Sequence, residues 1–109
     1  MVDQANSDIL QMEMHDAVLR LMLNDQNRRN ALSETMLGKL SEVLANAALD
    51  SSVRVIVIAA LGPAFCAGHD LKEITAARAG DDEGQAYFEH LFDTCASVMQ
   101  LIVNNPKPV

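Results

Sequence analysis

The residues best suited to chemistry lie between Ala64 and Glu73, which read AFCAGHDLKE. Cys66, Ala67, Gly68 and His69 form a small-residue turn between a run of β-formers and a helical pattern. A buried parallel strand leading through such a turn into a helix N-terminus is where open α/β sheets bind ligands. Unpaired N–H groups and the helix dipole favour partial negative charge there. Gly68 admits close backbone approach and unusual dihedral angles, so the N–H of His69 can be aimed outward. The chemistry this suits is stabilising an oxyanion or enolate on a carbonyl compound. Taken alone, a strand–turn–helix more often only joins elements.

Other chemistries can be drawn from the same residues. Cys66 and His69 stand three apart and His90 and Cys95 five apart, a set of zinc-ligand types. Cys95, however, falls on the apolar stripe of a helix, where a small core residue is the simpler reading. A Cys66 nucleophile with His69 as base lacks a third, orienting group. His15 lies on the polar side of a strand, and Met12, Met14 and Met22 read as adaptable packing rather than a metal site. The acidic GDDEG loop lacks the ligand spacing of a calcium loop. The site residues therefore include no metal ligand.

The elements that must position the turn are legible from periodicity. Leu10, Met12 and Met14 alternate with polar residues, a turn follows at Asp16-Ala17, and Leu19, Leu21 and Leu23 alternate again, which predicts an antiparallel hairpin. Ser33 reads as the N-cap of a helix from about Glu34 to Leu49, with Met36, Leu40, Val43, Leu44 and Ala47 as its core face. VRVIVIAA has the β-branched density of a strand covered on both faces. The helix before it is long enough to be the crossover that parallel strands need. Asp70 caps a short helix, LKEITAARA, with Glu73 placed like a capping-box acid. AGDDEG reads as a mobile loop. A long helix from Gln85 to about Asn104 should bury Phe88, Leu91, Phe92, Cys95, Val98, Met99 and Ile102. Pro106 and Pro108 stop it, and Lys107-Pro108-Val109 looks like the opening of another strand.

Composition narrows the partners. The 109 residues are 50% hydrophobic and 21% charged, an ordinary globular balance for one domain. A formal net charge of −7 repels phosphate backbones and anionic membranes, and 4% aromatic residues without tryptophan leave no base-stacking platform. Neither nucleic acid nor membrane is expected as a partner. The acidic start MVDQANSD is no signal peptide, no apolar run has the length of a membrane span, and two cysteines fit free thiols in a reducing compartment, so a cytoplasmic location is expected.

The segments LNDQNRRNALSETM, VRVIVIAALGPAFCAGHDLKE and NNPKPV, in this order, resemble the enoyl-CoA hydratase/isomerase, or crotonase, family. FCAGHDLKE fits the pattern F-x-A-G-x-D-[IL]-x-[EQ] at every fixed place, and the resemblance covers nearly the whole chain from about Ile9. It implies an α/β fold, the N-terminal half of a crotonase-like ββα spiral core, so that residues 1–109 are a partial domain. It implies that the N–H of His69 is one of two backbone donors polarising an acyl-CoA thioester carbonyl. Ala67, Gly68, Asp70 and Leu71 would line the adenine and pantetheine path, and Arg28 and Arg29 would meet the nucleotide end of coenzyme A.

Coenzyme A would enter as part of the substrate, with no separate cofactor. The second donor and the catalytic glutamates of hydratases would come from beyond KPV, so the 109 residues alone are expected to be inactive and poorly stable, with an unpaired sheet edge. The complete protein is expected to be an enoyl-CoA hydratase-like enzyme of fatty-acid or related acyl-CoA metabolism, assembled as a homotrimer or a dimer of trimers. The other reading is a non-catalytic acyl-CoA-binding or assembly fragment. A whole-protein mass near 11.8 kDa favours the fragment, and roughly twice that or more favours the enzyme.

Overall fold

The computed structural model describes residues 9–109, and the acidic stretch at 1–8 lies outside the described residues. The first two strands, β1 (Leu10–His15) and β2 (Val18–Leu23), form the expected hairpin, in register from Leu10 opposite Leu23 to His15 opposite Val18. Asp16 makes the turn at a left-handed φ of 55°, a conformation that a short polar side chain tolerates. The helix α1 (Glu34–Leu49) then crosses over to β3 (Val55–Ala60), which pairs parallel with β2 from Val18 opposite Val55 to Leu23 opposite Ala60. The sheet order is β1-β2-β3.

Helix α1 begins where the sequence indicates. The Ser33 hydroxyl accepts the N–H of Met36 at 3.1 Å, satisfying one of the free donors of the first turn. Met36, Leu37, Leu40, Leu44 and Ala47 are buried against Leu19, Leu21, Leu23 and Ile56 of the sheet. Two further helices follow, α2 (Leu71–Arg78) and α3 (Gln85–Val103), and α3 packs along α1 through Leu91 and Val98.

Three expectations need correction. Strand β3 is covered on one face only: Ile56 is buried, but Val57, pointing the other way, is 39% exposed. The apolar arc of α3 is wider than what packs beneath it, so Phe92 and Met99 are 60% and 40% exposed while Leu91 and Val98 are buried. The segment AGDDEG is a hydrogen-bonded turn. The Asp82 carboxylate accepts the N–H groups of Gly84 and Ala86, both at 3.0 Å, across positive φ at Glu83 and Gly84. Those two bonds, that to Ala86 first, hold the Asp82 carboxyl below its usual range.

The C-terminal segment returns to the sheet. The N–H of Ile56 donates to the Pro108 carbonyl at 2.9 Å on the edge of β3 away from β2. The Lys107 ammonium donates to the carbonyls of Ala47 and Asp50 at the C-terminal end of α1, where a cation complements the helix dipole. Among the described residues no helix is long and apolar enough to cross a membrane.

Candidate functional site

The pairing of β2 and β3 runs on into the loops beyond them. Leu61 donates its N–H to the Leu23 carbonyl at 2.9 Å, and the two connections then lie side by side. Gly62 and Gly68 take positive φ of 90° and 96°. A Cβ at position 68 would meet no atom within 4 Å beyond its chain neighbours, so glycine is demanded there by its dihedral and not by crowding.

The direction of the His69 N–H follows from one hydrogen bond. Leu32 and His69 form an isolated parallel bridge, in which the N–H of Leu32 donates to the Gly68 carbonyl at 2.6 Å. That carbonyl and the His69 N–H belong to one planar trans peptide, so they point in opposite directions. Fixing the carbonyl toward Leu32 turns the N–H away from it. Among the described residues no acceptor takes the His69 N–H. The Nδ1 atom of its imidazole is also buried without a hydrogen-bond partner.

Asp70, directly after His69, caps α2. Its Oδ1 accepts the N–H of Lys72 at 2.9 Å and that of Glu73 at 3.4 Å, as the sequence indicates. Its Oδ2 meets the Nε of Arg28 at 3.3 Å, and the Nη1 of Arg28 meets Asp25 Oδ2 at 3.3 Å. Arg28 thus spans two buried carboxylates from the end of a 3-10 turn, Gln26–Arg28. Arg29 is exposed, takes a left-handed φ of 53° and accepts the N–H of Ala67 on its carbonyl at 3.1 Å. Ala67 is exposed, as are Phe65 (60%) and Leu71 (74%). The structure therefore brings Arg28, Ala67, Gly68, His69 and Asp70 into one braced corner with Leu71 at its rim.

Glu73 does not close a capping box on α2. Its Oε1 accepts the N–H of Glu34 at 3.0 Å, in the first turn of α1, so it caps the neighbouring helix. Around it sit Tyr87, whose phenol lies near the Glu73 carboxylate, and His90, whose Nε2 lies 3.8 Å from Glu34 Oε1. Burial, then the carboxylates of Glu73, Glu34 and Asp70, push the Tyr87 phenol above its usual range. Cys66, His69, His90 and Cys95 are not gathered into a ligand set. Among the described residues no three His, Cys, Asp or Glu side chains are placed to hold a metal ion.

The residue that sequence reasoning missed is Asn30. It is 1% exposed at a φ of 57°, and its side chain makes three bonds: Oδ1 accepts the Asp25 N–H at 2.7 Å, and Nδ2 donates to Leu61 O and Ala64 O, both at 2.9 Å. It ties the 3-10 turn to the loop that leads into the His69 turn. Its signal was there in the type: asparagine is a residue that accepts left-handed backbone. Elsewhere, an open groove of about 790 Å³ between α1 and α3, lined by small and polar residues such as Ser41, Ala45, Ala96 and Gln100, contains none of these residues.

Known proteins share this fold. Residues 13–109 match the family model described as enoyl-CoA hydratase/isomerase. The mouse protein named "Enoyl-CoA hydratase domain-containing protein 3, mitochondrial" is 42% identical over 94 residues, 86% of this chain and 30% of that protein. A solved structure of enoyl-CoA hydratase from Mycobacterium smegmatis superposes with a TM-score of 0.83 at 45% identity, over 94% of this chain and 38% of that one. The human enoyl-CoA hydratase domain-containing protein 3 gives a TM-score of 0.81 at 33% identity over the same shares, 94% and 38%. This chain spans about 30% of the length of the mouse and rat relatives. The hairpin, crossover helix, parallel strand and two following helices are the N-terminal part of the crotonase fold, and the chain belongs to the enoyl-CoA hydratase/isomerase family.

Proposed function

We propose that this chain supplies one backbone donor of an acyl-CoA site, the N–H of His69, in an enoyl-CoA hydratase-like enzyme. The observation that carries the reading is the Gly68–His69 peptide, whose carbonyl is held by Leu32 and whose N–H, one residue before the α2 N-cap, is taken by no described residue. A thioester oxygen gaining negative charge is stabilised by such a fixed donor, and the first turn of α2 adds its dipole. Arg29, exposed beside Ala67, suits the phosphate end of coenzyme A on a protein that is acidic overall. Ala67, Gly68, Asp70 and Leu71 form the path of the pantetheine arm, and the thioester brings coenzyme A as part of the substrate. No second donor and no acid/base pair is assigned within these 109 residues, so by themselves they are expected to be inactive.

The uncovered face of β3 and the exposed Phe92 and Met99 support assembly, as a homotrimer or a dimer of trimers. The free thiols of Cys66 and Cys95 suit a reducing compartment. The cytoplasm is the proposed location, and the mouse relative's name places that protein in the mitochondrion. Cell fractionation separates the two.

Two substitutions in the full-length protein test the donor. His69→Ala keeps the amide and should leave turnover of but-2-enoyl-CoA within about tenfold. His69→Pro deletes the N–H and should cost on the order of a hundredfold or more, with circular dichroism and assembly unchanged. Abolition by His69→Ala in a folded protein would make the imidazole the catalyst and overturn the backbone reading.

A further inference from the structure

We infer that Arg28 is a positioning residue for this site: by bridging Asp25 and Asp70 it fixes the turn that aims the His69 N–H. The inference rests on the reading of that N–H as the thioester donor. Three ties hold the turn, and all three start within residues 28–32. The N–H of Leu32 fixes the Gly68 carbonyl at 2.6 Å, the Arg29 carbonyl takes the N–H of Ala67 at 3.1 Å, and the Arg28 Nε meets Asp70 Oδ2 at 3.3 Å. The first two are backbone bonds that set the peptide planes leading up to His69. The third is a side-chain brace on the residue that follows His69.

Asp70 divides its two oxygens between tasks. Oδ1 takes the first-turn N–H groups of α2, and Oδ2 takes the guanidinium. With both engaged, the carboxylate has one orientation, and the junction between the turn and α2 has one geometry. Asp25, 8% exposed, anchors the other end of the fork, and its own N–H is held by Asn30. Two buried carboxylates in one corner repel each other, and Arg28 is the cation between them. Its planar fork presents Nε and Nη1 to different partners at once, which a lysine ammonium on a flexible stem does not reproduce. Its side chain is 55% exposed, so a phosphate of coenzyme A could also reach it, and the test separates the two roles.

The experiment uses Arg28→Met and Arg28→Lys in the full-length protein. Amide hydrogen exchange of the ligand-free protein reads the brace directly. The N–H groups of Ala67, Lys72 and Glu73 should exchange about tenfold faster in Arg28→Met, with those of β1 and β2 unchanged, and Arg28→Lys should fall between. Turnover is then compared on but-2-enoyl-CoA and on the pantetheine thioester of the same acid, which lacks the nucleotide. A positioning role predicts that kcat falls about tenfold on both thioesters with KM little changed. A rise in KM confined to the CoA thioester would make Arg28 a phosphate ligand and overturn the inference. Unchanged exchange at Lys72 and Glu73 would overturn it too, whatever the kinetics. If the unaltered protein turns over neither thioester, the acyl-CoA reading fails, while the exchange data still decide whether Arg28 holds the turn.

Discussion

Replacing Asn30 by alanine removes the acceptor of the Asp25 N–H and the donor shared by Leu61 O and Ala64 O, at a position 1% exposed. A buried group left without its partner costs about 1–3 kcal/mol, with carbonyls at the lower end because each keeps a second lone pair. Three such groups give roughly 3 kcal/mol at the low end. Alanine must also hold the left-handed φ of 57°, where a Cβ without asparagine's local polar bonds costs about 1 kcal/mol or more. The expected loss is therefore about 3–5 kcal/mol, a large share of the stability of a typical domain. Urea unfolding followed by circular dichroism reads it as a midpoint lowered by about 1–3 M for a slope near 1.5–3 kcal/mol/M. Asn30→Asp sharpens the test. It keeps the acceptor and the left-handed tolerance but aims an oxygen at two carbonyl oxygens, so it should cost about 2–4 kcal/mol near neutral pH. Its carboxyl would be held above the usual range, so the deficit should shrink as the pH falls through that raised value. An Asn30→Ala protein within about 1 kcal/mol of the parent would refute the assignment of these three bonds as the clasp of the corner.

Two further outcomes follow from the same geometry. Lys107→Met strips the ammonium from the carbonyls of Ala47 and Asp50 at the end of α1, for about 1–2 kcal/mol, seen as a melting temperature several degrees lower; an unchanged melt would deny the cap. Tyr87 is the single tyrosine of a chain without tryptophan, so its ionisation in these 109 residues can be followed by ultraviolet absorbance alone. Burial and the nearby carboxylates raise its folded-state pKa above the ordinary value of 10.0. That contribution to stability is fully present below pH 10.0 and lost as pH rises through the folded value; a phenol titrating below 10.0 in the folded chain would contradict the placement beside Glu73.

The elements were legible in the sequence because their signals are local. Ser33 before a helical stripe and Asp70 before LKE state where α1 and α2 begin, and the structure has both caps. The alternation of Leu19, Leu21 and Leu23 states which face of β2 is inside. What could not be read is where polar side chains go when their partners are distant. Glu73 is spaced to cap its own helix, yet tertiary packing offers it the N–H of Glu34 instead. Arg28 and Asn30 look like solvated turn residues until β3 is alongside β2 and brings Asp70, Leu61 and Ala64 within reach. The width of the α3 apolar arc suggests that all of it is covered, but only the strip of Leu91 and Val98 is buried, while Phe92 and Met99 stay exposed. Gly68 and His69 were found by type and order, and the direction of the N–H came only with the bond from Leu32.

The clasp of Asn30 also sets an order of events during folding. Its two long bonds join residues 31 and 34 apart in sequence. Closing a flexible loop of that length costs about 3 kcal/mol before either bond returns anything. The hairpin and α1 form from neighbouring residues, whereas the corner requires the crossover to be complete and β3 to be seated. The expected kinetic signature is a φ-value near zero at Asn30, so that its loss speeds unfolding and leaves the folding rate almost unchanged. The Gly68–His69 turn is then expected to take shape after the hairpin and α1 and to open before them, so that a newly made chain carries its scaffold before it carries this corner.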